Sequence, residues 1–140
     1  MNKSRKIVAI LAVLLLSAGC ARNTTHYISI DEALNSPQAK EVLDPNIKLY
    51  FARGAGNAIK SGLVSNKKTN SANKTDREAC IWAFLSAVKQ FQERAYDMGG
   101  TKVTNLISFY KKQPYSSQEN FECHAGTVIT GVALKGDIAR

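Results

Sequence analysis

The apolar residues form one unbroken block and several periodic ones. Residues 7–16 (IVAILAVLLL) contain no polar side chain. Further along, Cys80, Phe84, Ala87, Val88, Phe91, Ala95 and Met98 recur at spacings of three and four, which predicts one face of a helix over 76–98. Ile81, Leu85 and Tyr96 widen that stripe, the width a helix needs to lie on a sheet, while Trp82, Ser86, Lys89 and Glu93 fall opposite. Thr75-Asp76-Arg77-Glu78 has the form of a capping box, and Gly99-Gly100 supplies a left-handed stop. Alternation predicts strands over 47–51 (IKLYF), over 101–110 with Val103, Ile107 and Phe109 on one face, over 121–125 and over 128–134. A weaker one crosses 61–66. Ser36-Pro37 starts a short helix as N-cap and first helical position, running through Leu43, and Asp44-Pro45-Asn46 ends it. The stretches 65–75 (SNKKTNSANKT) and 113–120 (QPYSSQEN) read as polar loops. The expected architecture is α+β, a single domain over 36–140 with a small antiparallel sheet of about four strands under the 76–98 helix.

The apolar block changes the picture of the amino terminus. Lys3, Arg5 and Lys6 precede it with no acid among them, and Ser17-Ala18-Gly19-Cys20 follows it. A basic start, a short apolar run and small residues before a cut site define a secretory signal peptide over 1–19. A membrane span needs about 20 apolar residues, more than this run offers. Leu16-Ser17-Ala18-Gly19-Cys20 resembles the lipobox of bacterial lipoproteins. The resemblance implies that Cys20 carries diacylglycerol and becomes an acylated amino terminus, with 20–35 a lipidated cysteine and polar tether. It also implies that Ala21, standing where an aspartate favours the inner membrane, sends the protein to the periplasmic side of the outer membrane.

Charge adds little. The chain has 19 basic and 11 acidic residues, and the signal segment carries three of the cations away. The remainder are scattered: Lys67-Lys68, Lys74 and Lys111-Lys112 sit in or beside polar stretches without the interleaved aromatics that stack bases, so no nucleic-acid partner is expected. The 54–61 segment (GAGNAIKS) fails as a nucleotide site, since Ile59 stands where a P-loop and a dinucleotide motif both need glycine. With no nucleophile elbow and no zinc-protease motif, no enzyme activity and no cofactor beyond the lipid are expected.

Cys80 and Cys123 remain once Cys20 is set aside. In an oxidising compartment they are expected to pair, closing a loop of 43 residues; two separate buried thiols are the alternative. A Cys123–His124 couple is disfavoured, because neighbours in a strand face opposite ways. Glu122 and His124, at i and i+2, share a strand face and are the candidate metal or ligand pair, although a site needs three or four donors. Trp82, the only tryptophan, is a candidate partner surface, unless the 65–75 loop or a neighbouring copy covers it.

Ala79-Cys80, the 83–87 run AFLSA, the 91–95 run FQERA, Gly99-Gly100, the 123–126 run CHAG and the 132–136 run VALKG resemble a family of small proteobacterial lipoproteins. That family is often labelled "excinuclease ATPase subunit", a label at odds with the missing P-loop. The helix, double glycine, strand and paired cysteines are more remotely similar to the YbjQ-like fold. The expected function is therefore a lipid-anchored periplasmic envelope lipoprotein with a non-enzymatic structural or sensing role and a possible envelope protein partner. The alternative is a periplasmic metal- or small-ligand-binding module.

Overall fold

The structure, a computed structural model, describes residues 22–140, so the signal segment and Cys20 lie outside the described residues. The elements run β1 (Asn23–Ser29), α1 (Ile30–Leu34), α2 (Pro37–Val42), β2 (Lys48–Phe51), β3 (Ala58–Asn70), α3 (Asp76–Asp97), β4 (Lys102–Ser108), a 3-10 turn (Tyr110–Lys112), β5 (Asn120–Gly126) and β6 (Ile129–Ala139).

This corrects the expected four-stranded antiparallel α+β domain. The sheet has six strands and is mixed, with β2 parallel to β4 and the other pairs antiparallel. Among the described residues only α3, at 22 residues, is a substantial helix; α1 and α2 have five and six. The two strands absent from the sequence reading, β1 and most of β3, are both edge strands, each paired on one side only. An edge strand with one solvated face needs few apolar residues, and lysines on it deter pairing with another chain. Lys67 and Lys68 therefore belong to β3, not to the expected 65–75 loop, Lys60 lies on the same strand, and 71–74 alone makes the turn into α3. Residues 23–34, expected as tether, are β1 and α1: β1 holds seven register positions against β5, from Asn23↔Gly126 to Ser29↔Asn120.

β6 is the spine. Its whole length pairs with β3 on one side, while β5 (at Gly131 and Thr130) and β4 (from Leu134 to Ala139) share the other. The sheet therefore forks, and 109–119 crosses the fork. Ser108 bridges Tyr115, Phe109 N–H donates to the Ala133 carbonyl at 2.8 Å, and the Ser108 hydroxyl accepts from Glu122 N–H at 3.0 Å. In β4 a register shift between Thr104 and Ile107, around Asn105 at φ 52°, exchanges the faces. Val103 and Leu106 enter the core together, whereas Ile107 and Phe109, expected beside Val103, are only half-buried.

α3 lies on the face made by Phe121, Cys123, Val132, Leu134 and Ile138, with the Phe84 and Phe121 rings stacked at 4.1 Å. Its start is fixed by Thr75, whose hydroxyl accepts from Glu78 N–H, and by acidic Asp76 and Glu78 in the first turn. Its end is fixed by Gly99 at φ 72° and by Gly100, where a Cβ would stand 2.6 Å from Ile138 Cγ2. A second side of α3 is covered too. Buried Gln92 accepts from Asp44 N–H at 2.8 Å and donates to the carbonyls of Asp44 and Ile47 at 2.9 and 3.0 Å, holding the 44–47 segment against the helix.

Candidate functional site

Cys80 occupies the second turn of α3, Cys123 the middle of β5, and packing the helix across that strand brings their Cα atoms to 5.8 Å. They form a disulfide closing 43 residues of chain, and both are fully buried. His124 points to the opposite face of the sheet, so Cys123 has no imidazole partner.

That opposite face carries the second expected pair. Glu122 and His124 project from β5 side by side and bond directly, His124 Nε2 to Glu122 Oε2 at 2.7 Å, with each side chain only 14% exposed. β1, in register through Thr25↔His124, brings the Thr25 hydroxyl to 3.4 Å from His124 Nδ1. Tyr110 closes the cluster from the fork, its ring stacked on the imidazole at 3.5 Å and 13°. The chain leaves that position through Lys111 and Lys112, both left-handed at φ 52° and 60°, a conformation uncommon for lysine. Beside it the Tyr27 and Tyr115 rings approach to 4.8 Å.

Chemically this is a hydroxyl, an imidazole and a carboxylate in sequence, with both ring nitrogens engaged. Among the described residues no group of three or more His, Cys, Asp or Glu is arranged to hold a metal, and two donors bonded to one another offer a cation little. Sequence reasoning named Glu122 and His124 but not Thr25 or Tyr110. The first comes from a strand read as tether, the second from beyond a bulge.

A second polar cluster was missed entirely. Arg22 grips Asp76 with two hydrogen bonds of 2.9 Å, His26 Nε2 reaches the same carboxylate at 2.9 Å, and Arg22 Nη2 donates to the Gly126 carbonyl at 3.2 Å. The Arg22 hydrogen bonds, helped by His26 and the positive charge of Arg22, hold the Asp76 carboxyl down at about 2 against an opposing desolvation cost. Asp76 in turn raises the Arg22 guanidinium above its ordinary value. The cluster staples the start of β1 to the first turn of α3. Thr24, His26 and Ile28 are more buried than Asn23, Thr25 and Tyr27 between them, but the polarity of the run does not alternate with that pattern, so the sequence carries no signal of it.

Trp82 is half-buried, between the open surface and the core. The 65–75 segment expected as its possible cover is strand β3 as far as Asn70. Elsewhere a groove between α2, the 43–47 segment and β2 is lined by Leu34, Leu43, Ile47 and Leu49 with Lys40 and Lys48 at its margin.

No protein-family model matches the chain, and no curated protein or solved structure matches it either. No helix among the described residues is long and apolar enough to cross a membrane.

Proposed function

We propose that the protein is a lipoprotein of the bacterial envelope, anchored through diacylglycerol on Cys20 to the periplasmic side of the outer membrane, with a non-enzymatic structural or sensing role. The observation that carries the reading is the agreement of two independent parts of the chain. The basic, apolar and small-residue succession ending at Cys20 addresses it for export, and the buried Cys80–Cys123 disulfide suits the oxidising compartment where export would leave it. The resemblance to small proteobacterial lipoproteins supports the same reading. An acylated amino terminus with more than one chain holds a protein firmly, at about 0.8 kcal/mol per buried CH₂. The Glu122–His124 pair is read as structural, because each of its partners is already supplied by the fold.

The test is the mass of the mature protein from the membrane fraction. Cleavage before Cys20 with a diacylglycerol addition is expected, and Cys20→Ser should leave the precursor unprocessed. An unmodified Cys20 on mature wild-type protein would defeat the proposal.

A further inference from the structure

If Cys20 holds the lipid, the strand that begins at Asn23 leaves very little slack. Three peptide units separate the two residues, and a chain spans at most about 3.6 Å per residue, so Asn23 lies within about 11 Å of the anchored cysteine whatever path the chain takes. The end of the domain that carries Asn23 must then sit at the lipid headgroups. The register identifies that end. Asn23 pairs with Gly126, which places the 126–128 turn beside it, and Ser71 N–H donates to the Val128 carbonyl at 2.8 Å, which adds the 71–74 turn. Arg22 is fastened to the same corner through Asp76 and the Gly126 carbonyl.

The chemistry of this corner suits a bilayer surface. Val128 is 71% exposed and its neighbour Ile129 52% exposed, an adjacent aliphatic pair at the tip of the β5–β6 hairpin. Lys74 stands on the facing turn as its cation, bonded to Asn70, while the charge of Arg22 is balanced by the Asp76 carboxylate, so the corner carries no uncompensated acid from that cluster. We infer that the 126–129 tip and the 71–74 turn form a membrane-docking surface that seats the domain on anionic phospholipid beside its own anchor. Val128 and Ile129 enter the interfacial zone and Lys74 meets headgroup phosphates. This rests on lipidation of Cys20.

The experiment uses the full chain, processed by its own signal, in phosphatidylethanolamine–phosphatidylglycerol vesicles containing brominated acyl chains. In a Trp82→Phe background a single tryptophan is placed by Val128→Trp or, as control, by Tyr96→Trp, about 30 Å along α3 from Asp76. Emission from position 128 should be blue-shifted and quenched several-fold more than emission from position 96. Because a tryptophan could itself draw the tip into lipid, hydrogen exchange of the wild type provides the second readout: amides of 126–129 should slow several-fold in vesicles relative to detergent. Equal quenching at both positions, with unchanged exchange, overturns the inference and leaves the tip to a protein or a second copy. Mass and flotation of the same preparation separate the two failures. Protein without diacylglycerol defeats the anchoring proposal and the docking surface with it; lipidated, floating protein with a solvated, unquenched tip defeats the docking surface alone.

Discussion

Removing the Cys80–Cys123 disulfide should cost about 4 kcal/mol. The bond joins α3 to β5 across the main core and closes 43 residues that include all of β4 and the fork-crossing segment. On the chain-entropy account, a loop of that length restricts the unfolded ensemble by about 13 cal/mol/K, or about 4 kcal/mol at 25 °C. Cys80→Ala/Cys123→Ala also removes two fully buried sulfur atoms, leaving only the Cβ methyls, so the packing loss adds to the entropic one. Domains of this size have total stabilities of about 5–15 kcal/mol, so the double variant should remain folded but marginal. In thermal melts the drop should be roughly 12–20 °C, taking about 3–5 °C per kcal/mol. Urea titration gives the cleaner measurement: the midpoint should fall and the slope should rise slightly, because the uncrosslinked unfolded chain exposes more surface. Burial adds a kinetic forecast. A reductant cannot reach either sulfur without opening the α3–β5 interface, so native-state reduction should be slow and should accelerate steeply in mild urea. A loss below about 1 kcal/mol for the double variant would refute the argument that this loop closure carries a large share of the stability.

Three further perturbations test other joints of the fold. Gln92→Leu leaves the Asp44 N–H and the Ile47 carbonyl without their partner in a buried setting, and should lower stability by about 2–3 kcal/mol in urea titration, while Glu93→Gln one residue away on the exposed side should change it by less than about 0.5. Asp76 has its carboxyl depressed in the folded state, so its contribution is present above the ordinary aspartate value near 3.9 and is lost as pH falls toward 2. After allowance for solvent screening of a side chain 28% exposed, that contribution is about 1 kcal/mol. Asp76→Asn should therefore lose it at neutral pH and flatten the acid limb of a stability–pH curve between 4 and 2, and an unchanged acid limb would count against the Arg22–Asp76 clamp. Trp82→Ala should cost about 1–2 kcal/mol, given half-burial, and should weaken envelope crosslinks; a loss above about 3 kcal/mol in the isolated domain removes Trp82 from the partner surface.

The parts of the fold legible in the sequence are those that a single hydrophobic period dictates. α3 announces itself because both its ends carry capping chemistry and its stripe must face a sheet, from Thr75 to Gly99-Gly100. β5 and β6 read as strands because both their inward positions, such as Phe121, Cys123, Val132 and Leu134, are buried against that helix. β3 is different. Ten of its residues hold register with β6, yet only Ser65 is buried, so its pairing is carried by main-chain hydrogen bonds that leave no mark on side-chain polarity. The bulge at Asn105 defeats the pattern another way. One inserted position reverses which side chains face inward, and a strict period of two misassigns everything after it.

The same distinction explains which site residues could be found. Glu122 and His124 are two apart on one strand, so their shared face follows from the pleat alone, and so does the separation of Cys123 from His124. Thr25 and Tyr110 join them only through long-range register: β1 paired with β5, and a turn pinned by Phe109 to Ala133. Neither contact is encoded near its own residue. The cost of the missed strand is largest at the amino terminus. In the run 22–29 (RNTTHYIS) only Ile28 enters the core, too little to set a period, yet the backbone is committed by its partner's hydrogen bonds while most of its side chains stay wet. As a strand, the run is fixed to one corner of the sheet, where Asn23 pairs with Gly126 and Arg22 bonds both Asp76 and the Gly126 carbonyl, a neighbourhood that long-range register sets and local sequence does not announce.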